Sequence, residues 1–432
     1  MENATSAISK GKNDLFQGPF TLAILGAGDR GQNASQWIFE HADQAKVVAV
    51  AEPNPKLREK VAQLHGIPLS HQFETWEDLL AEPKMADAVI NTLMDQLHVR
   101  SAVMALHKGY HMMLEKPMAT TLEDCQAIDR AQQETKKIVS VWHSMRHHVV
   151  YTELKRLLDE KTIGELVTFD QLEAVDPVHQ SHSFVRGNWG NQSRSTFMLM
   201  AKSCHDIDVV TYLTHKECLR VSSFGSLTHF RKENAPEGAP ALCSEACPAE
   251  SKCPYSIAKV YCNPSSVWNP FLNNRLAPQA ATLREKREIL NRSPYGRCVY
   301  HCDNDVVDHQ VVNFEYEGGV TGTFTMTAFA SPGGRHVRLH GTKGWIRAHV
   351  DGNHIEVCRY LDGTQMTYQI PKQSGTHGGA DGNILANFIS AIRHNDPDMA
   401  LTTVAESLKS HKIVFAAEKA RLEKRVVEIG GI

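Results

Sequence analysis

The first apolar run of the chain, TLAILGAG at residues 21–28, ends in glycines, and QNASQWIFEHA at 32–42 then reads as a helix. KVVAVAE at 46–52 is a second buried strand. PKLREKVAQLHG at 55–66 is a charged amphipathic helix closed by Gly66. The pattern repeats with ADAVINTL at 86–93 as strand, HVRSAVMALHKG at 98–109 as helix and YHMMLEKP at 110–117 as strand, and it runs on to IVSVWHSM at 138–145. Apolar runs alternating with helices predict βαβ units and a parallel sheet.

After residue 146 the pattern changes. VYTELKRLLDEKTIG at 150–164 is helical and ELVTFDQLEAV at 165–175 is strand-like. The segments 311–329, 335–350 and 353–370 alternate apolar and polar residues around the glycine turns EGG, GTKG and LDG, the mark of antiparallel hairpins. Two helices follow, at 380–394 and 402–422. The expected fold is therefore α/β: a polar tail (1–19), a dinucleotide-binding Rossmann domain (20–146) and a second α/β domain (147–432). The second domain has a large open, mostly antiparallel sheet and a cysteine-rich insertion at about 232–304.

Length and composition narrow the classes. The 432 residues suffice for about two or three domains. A net charge of -3 argues against a general nucleic-acid binder. No apolar run approaches the roughly 20 residues that span a bilayer, so no membrane partner is expected. The N-terminus is polar and lacks a signal-peptide core. Ten cysteines without an export signal read as thiols or metal ligands rather than a disulfide framework, which points to the cytoplasm.

GAGDRG places Gly26, Gly28 and Gly31 after a strand and at the opening of a helix. The glycines permit a tight turn and close approach of backbone to a pyrophosphate. The helix N-terminus offers N–H groups and partial positive charge. Glu52, at the end of the next strand, stands where a carboxylate binds the ribose hydroxyls of NAD and repels a 2′-phosphate. Arg30, inside the loop, keeps NADP as the less favoured alternative. Asp29 belongs to the same loop.

LEKPMA at 114–119 sets Lys116 before a proline, which restricts its backbone where a strand stops. TFMLMAKSCHDIDVVTYL at 196–213 is an apolar, helical-looking segment interrupted by Lys202, His205, Asp206 and Asp208, with Asp206 an expected substrate contact. On one helix Lys202 and His205 share a face. Polar residues inside such a segment are costly unless used, and histidine is suited to proton transfer near neutral pH. HQSHSFVRGNWGNQSR at 179–194 is rich in hydrogen-bonding groups, with Arg186 and Trp189 as expected substrate contacts. The glycine-rich GTHGGADGN at 375–383 adds His377 and Asp381. His309, in VVDHQ, is a weaker candidate that an ordinary exposed strand position also explains. Cys243, Cys247 and Cys253 are close enough for a structural zinc, but their spacing is not the paired CxxC of a zinc ribbon. Reduced thiols packing a loop are the alternative.

GAGDRG, NTLMDQLHVRSAVMAL at 91–106, LEKP and KSCHDID at 202–208 together resemble the Gfo/Idh/MocA oxidoreductases, the glucose–fructose oxidoreductase and inositol dehydrogenase family. The resemblance covers nearly the whole chain after residue 20. It implies the two-domain fold inferred above, and dimers or tetramers built on the open sheet. It also implies cofactor contacts from Thr92, His98 and Glu115. Lys116 would stand beside the nicotinamide and hydrogen-bond the hydroxyl being oxidised, and His205 would be the base. One departure is plain: inositol-dehydrogenase-like members have an aspartate four residues before this histidine, and here that position is Ala201, followed by Lys202, so either Lys202 is a catalytic residue that takes over part of that role or the chemistry differs from plain alcohol oxidation.

Three functional readings follow. The leading one is NAD-dependent oxidation of a carbohydrate or cyclitol ring hydroxyl. The second is a redox-neutral, NAD-dependent glycoside hydrolase, with transient oxidation at C3, elimination, water addition and re-reduction. The third is a non-catalytic NAD-binding regulatory protein, against which the intact EKP and His205 argue.

Overall fold

The computed structural model describes residues 18–243 and 246–432. The expected polar tail lies outside these residues except for Gly18 and Pro19. The described residues divide into two compact units, 18–148 with 373–408, and 149–372 with 409–432.

The first unit is built on six parallel strands: β1 (Phe20–Leu25), β2 (Ala45–Ala51), β3 (Gln72–Phe73), β4 (Ala88–Asn91), β5 (His111–Leu114) and β6 (Val139–Val141). Their order is β3-β2-β1-β4-β5-β6. The strands read as continuous apolar runs because helices cover the sheet. These helices are α1 (Asp29–Glu40), α2 (Pro55–His65), α3 (Trp76–Ala81), α4 (His98–His107) and α5 (Leu122–Thr135). Side chains cap α2, α3 and α5 through Asn54, Thr75 and Thr121. Gly66 ends α2 at φ 65°, a left-handed conformation that glycine adopts without penalty. By contrast, α1 begins at Gly28 with no side-chain cap.

One boundary differs from the sequence reading. The segment 373–408, expected in the second domain, clusters with the first unit. The cause is apolar packing: Ile384, Leu385, Phe388 and Ile389 of the helix Ala380–Arg393 are buried against Leu22, Ile24, Val47 and Ile90. Each such side chain contributes about 1.5–3 kcal/mol on burial. Strand β6 is also tied to this segment, since Val141 N donates to Thr402 O at 2.8 Å.

The second unit carries a nine-stranded sheet of β7 (Leu166–Ala174), β8 (Cys218–Ser226), β9 (His309–Tyr316), β10 (Thr321–Thr327), β11 (Gly334–Gly341), β12 (Gly344–His349), β13 (His354–Arg359), β14 (Gln365–Gln369) and β15 (Val427–Glu428). The order is β14-β13-β12-β11-β7-β10-β9-β8-β15. Only the β7–β10 pair is parallel. Along β11 the buried Val337 and Leu339 alternate with the exposed His336 and Arg338, the period of a sheet with one covered face. Between β8 and β9 the insertion forms short helical turns with its own apolar core of Ile257, Val260, Tyr261, Leu272 and Leu290.

Candidate functional site

The dinucleotide loop connects β1 to α1. Gly26 has φ 89°, and a Cβ there would stand 2.8 Å from Thr92 O. A Cβ on Gly31 would stand 2.1 Å from Gly26 O, so only glycine fits. Thr92 secures the turn by donating from Oγ1 to Gly26 O at 2.6 Å. A Cβ on Gly28 would meet nothing within 4 Å. The loop is therefore tight on its protein side and open at Gly28, where α1 presents an N-terminus that no side chain caps. That combination suits an anionic pyrophosphate. Asp29 is exposed at the first position of the helix. Glu52 stands at the end of β2, with Oε2 accepting from Ala27 N at 2.7 Å and Oε1 from Asn54 N at 2.9 Å. The carboxylate expected at the ribose is thus fastened to the loop itself, and these residues fit NAD.

Lys116 follows β5 and is half-buried. Its backbone N–H donates to Oε2 of Glu115 at 2.7 Å. The other Glu115 oxygen accepts from Arg30 Nε. Arg30 also donates from Nη1 and Nη2 to the two oxygens of Asp381, at 2.8 and 2.9 Å, and lies over the Trp142 ring. Asp381 accepts further from Trp142 Nε1 and His377 Nδ1, both at 2.8 Å. Burial alone would push the Asp381 carboxyl up; Arg30 and His377 hold it well below the usual carboxylate range. Burial likewise works against the Arg30 charge, but Glu115 and Asp381 hold its pKa above the ordinary value. His98 is fully buried, with Nδ1 at 2.8 Å from Pro117 O and Nε2 at 3.0 Å from Leu93 O. Expected as a cofactor contact, it instead links two backbone segments. His377 and Asp381, expected as substrate contacts of the second domain, belong to the first unit and bind Arg30 there.

In the second unit the segment 196–213 is not one helix. It breaks into Met198–Ala201 and Cys204–Thr214, with Lys202 and Ser203 at the break. Lys202 and His205 therefore do not share a single helical face. Lys202 Nζ turns to Glu173 Oε1 at 2.9 Å, on β7. Arg335, on β11, stands 3.0 Å from Glu173 Oε2 and 2.8 Å from Asp206 Oδ1. Gln171 donates to the same Asp206 oxygen at 2.7 Å. Asp206 is fully buried and held inside this network, which corrects its expected role as a substrate contact. Burial pushes its carboxyl up, against Arg335. Glu173 is equally buried, yet Arg335 and Lys202 together hold its carboxyl down. His179 adjoins the cluster, and burial, aided by Lys202, lowers its pKa to about 4. His205 lies in the first turn of Cys204–Thr214, 4% exposed.

The expectation for Arg186 is corrected. Arg186 is 1% exposed, and it donates from Nε to Arg297 O and from Nη2 to Tyr255 O, both at 2.8 Å. It fastens the insertion rather than facing a substrate. Trp189 remains 39% exposed. His309 Nδ1 pairs with Asp308 at 2.9 Å at a half-exposed strand position. Cys243, Cys247, Cys253 and Cys298 line one small cavity with Arg186. Burial raises the Cys243 and Cys298 thiols. Among the described residues no three His, Cys, Asp or Glu side chains, the zinc candidates Cys243, Cys247 and Cys253 included, gather as a metal site. Sequence reasoning missed Glu173, Arg335 and His179. Each sits in an ordinary-looking strand or loop, and only tertiary contact reveals its charge partner.

The chain matches the oxidoreductase family with an NAD-binding Rossmann fold over residues 20–143 and that family's C-terminal alpha/beta domain over 155–429. It belongs to the Gfo/Idh/MocA oxidoreductase family. YteT of Bacillus subtilis strain 168 is 23% identical over 359 residues, 79% of this chain and 81% of YteT. The scyllo-inositol 2-dehydrogenase (NAD(+)) of the same strain is 27% identical over 212 residues, 48% of this chain and 57% of the relative. A levoglucosan dehydrogenase solved in complex with NADH shares the fold at a TM-score of 0.69 and 17% identity, covering 95% of this chain and 99% of the other. No helix among the described residues is long and apolar enough to cross a membrane.

Proposed function

We propose that this chain is an NAD-dependent dehydrogenase acting on a ring hydroxyl of a carbohydrate or cyclitol. The observation that carries the reading is Lys116, placed directly after β5 and tied through Glu115 and Arg30 to the dinucleotide loop. NAD, when bound, supplies the hydride acceptor. Gly28 and the α1 N-terminus hold the pyrophosphate, and Glu52 holds the ribose hydroxyls. Arg30 already sets its charge and three of its five N–H donors against two carboxylates, Glu115 and Asp381, which supports NAD over NADP. The Lys116 ammonium stabilises the developing alkoxide. The His205 imidazole takes the hydroxyl proton. The names of the inositol and levoglucosan relatives support the substrate class.

The test uses the purified protein. Nucleotide released on denaturation is identified, and native enzyme is given free sugars, cyclitols and nitrophenyl glycosides while reduced nicotinamide and nitrophenol are followed. Net reduction on a free sugar or cyclitol is the expected result. Aglycone release without net reduction would replace this reading with redox-neutral glycoside cleavage, and no turnover with bound NAD would favour a binding protein.

A further inference from the structure

The first unit contains a chain of ionic and hydrogen-bonded contacts that joins the far C-terminal segment to Lys116. Asp381 lies 351 residues from Arg30 in sequence, yet its two oxygens receive the two terminal nitrogens of that guanidinium. Arg30 Nε reaches one oxygen of Glu115, and the other Glu115 oxygen receives the Lys116 N–H. Both carboxylates thus bind through both oxygens, and the guanidinium uses all of its nitrogens. Bidentate arginine–carboxylate pairing fixes direction as well as distance.

The surroundings leave this chain little freedom. Asp381 is 7% exposed and is braced from two further sides by Trp142 Nε1 and His377 Nδ1. The loop that delivers it runs through His377, Gly378 and Gly379, at φ 49°, 61° and 85°. A Cβ on Gly378 would stand 2.8 Å from His148 Nε2, and one on Gly379 would stand 2.6 Å from Gln373 Cβ. The glycines let the loop pass close to its neighbours and turn Asp381 into the first turn of Ala380–Arg393, where a carboxylate also suits the helix dipole.

We propose that Asp381 and Arg30 are positioning residues for Lys116, acting through Glu115 to fix the backbone of residue 116. This inference rests on the assignment of Lys116 to the reaction. It explains why a segment from the end of the sequence completes the nucleotide-binding unit. It also gives Arg30, Asp381 and His377 a role other than contact with cofactor or substrate.

The test compares wild type with Arg30→Lys and Asp381→Asn. Lysine keeps the charge of Arg30 but lacks the planar fork that pairs Asp381 through two nitrogens while a third reaches Glu115, and asparagine keeps the shape of Asp381 but loses one acceptor. The first readout is amide hydrogen exchange in the full chain, resolved at residues 110–119. Exchange at the Lys116 amide rises about tenfold in both variants, as expected when a local restraint is lost, while β1, β2 and β4 keep their protection. On whichever substrate the wild type turns over, kcat falls about tenfold to a hundredfold while KM and NADH affinity stay within about threefold, as for a displaced catalytic group. Unchanged exchange at Lys116 in both variants overturns the proposal, and so does a uniform rise across the whole unit, which marks a merely structural role. If one variant fails to fold, the other decides. If the wild type turns over nothing, the dehydrogenase reading fails, but the exchange result still judges the restraint.

Discussion

Lys202 and Glu173 form a 2.9 Å ion pair, although one lies at a helix break and the other in the middle of a sheet. Arg335 joins the same carboxylate and continues to Asp206, so two cations and two anions form one buried set. Removing one member leaves the others uncompensated in a poorly solvated place. Glu173→Gln is therefore expected to destabilise the second unit by about 3–5 kcal/mol. Urea unfolding checks this: the midpoint falls while the slope stays constant. A loss below about 1 kcal/mol, the scale of an exposed pair, contradicts the account.

Two glycines of the dinucleotide loop separate folding from binding. A methyl on Gly31 collides with the backbone of Gly26, so Gly31→Ala lowers the melting temperature of the nucleotide-free protein. A methyl on Gly28 meets no protein atom within 4 Å, so Gly28→Ala melts as the wild type does. The added methyl occupies the open side of the loop, and NADH affinity falls about tenfold, or roughly 1.4 kcal/mol. Fluorescence titration with NADH measures this. Equal affinity for wild type and Gly28→Ala would place the pyrophosphate elsewhere.

Lys116→Met should keep the nucleotide and lose the reaction. The substitution removes the ammonium and leaves the backbone N–H that Glu115 accepts. NADH binding is expected to stay within about twofold, while kcat falls about a hundredfold to a thousandfold, the range for loss of one charge-stabilising donor. Steady-state kinetics beside NADH titration tests this, and wild-type turnover in the variant excludes Lys116 from the chemistry.

Local pattern made the sheet architecture legible. Continuous apolar runs mark β1, β2, β4 and β5 because both faces of a parallel sheet are covered, and strict alternation with glycine turns marks β9 to β14 because one face is covered. The break at Lys202 was illegible, since Met198 to Leu213 is apolar enough to read as one helix and the partner Lys202 takes there, Glu173 on β7, is distant in sequence. The same holds for Arg30. In sequence it reads as a loop cation open to a phosphate, but Asp381, 351 residues later, determines what it binds. Arg186 misled for a similar reason, because a buried arginine held by two distant carbonyls has no local signature. Periodicity reports which face is covered, whereas long-range charge partners appear only in the fold.

Acid should weaken the second unit through its buried histidines. Burial lowers the pKa of His179 to about 4 and of His182 to about 3. His182 stacks on Trp268 at 3.7 Å and on Tyr295 at 4.8 Å, with Nδ1 at 3.0 Å from the Tyr261 hydroxyl. An unfolded histidine titrates near 6.5, so between about pH 6.5 and 4 the unfolded chain binds protons that the folded chain excludes. Stability is therefore full above about pH 6.5 and falls as the pH drops towards 4. Asp381 has the opposite chemistry but the same direction: its depressed carboxyl keeps its contribution above about pH 4 and loses it only below. In the first unit His111, lowered to about 4, adds a similar slope, so the test must isolate the second unit. His182→Phe keeps an aromatic ring between Trp268 and Tyr295 and removes one titrating group. Melting temperatures from pH 7 to 4 should fall less steeply in the variant than in the wild type. Parallel curves would mean that His182 is protonated in the folded chain as readily as in the unfolded one.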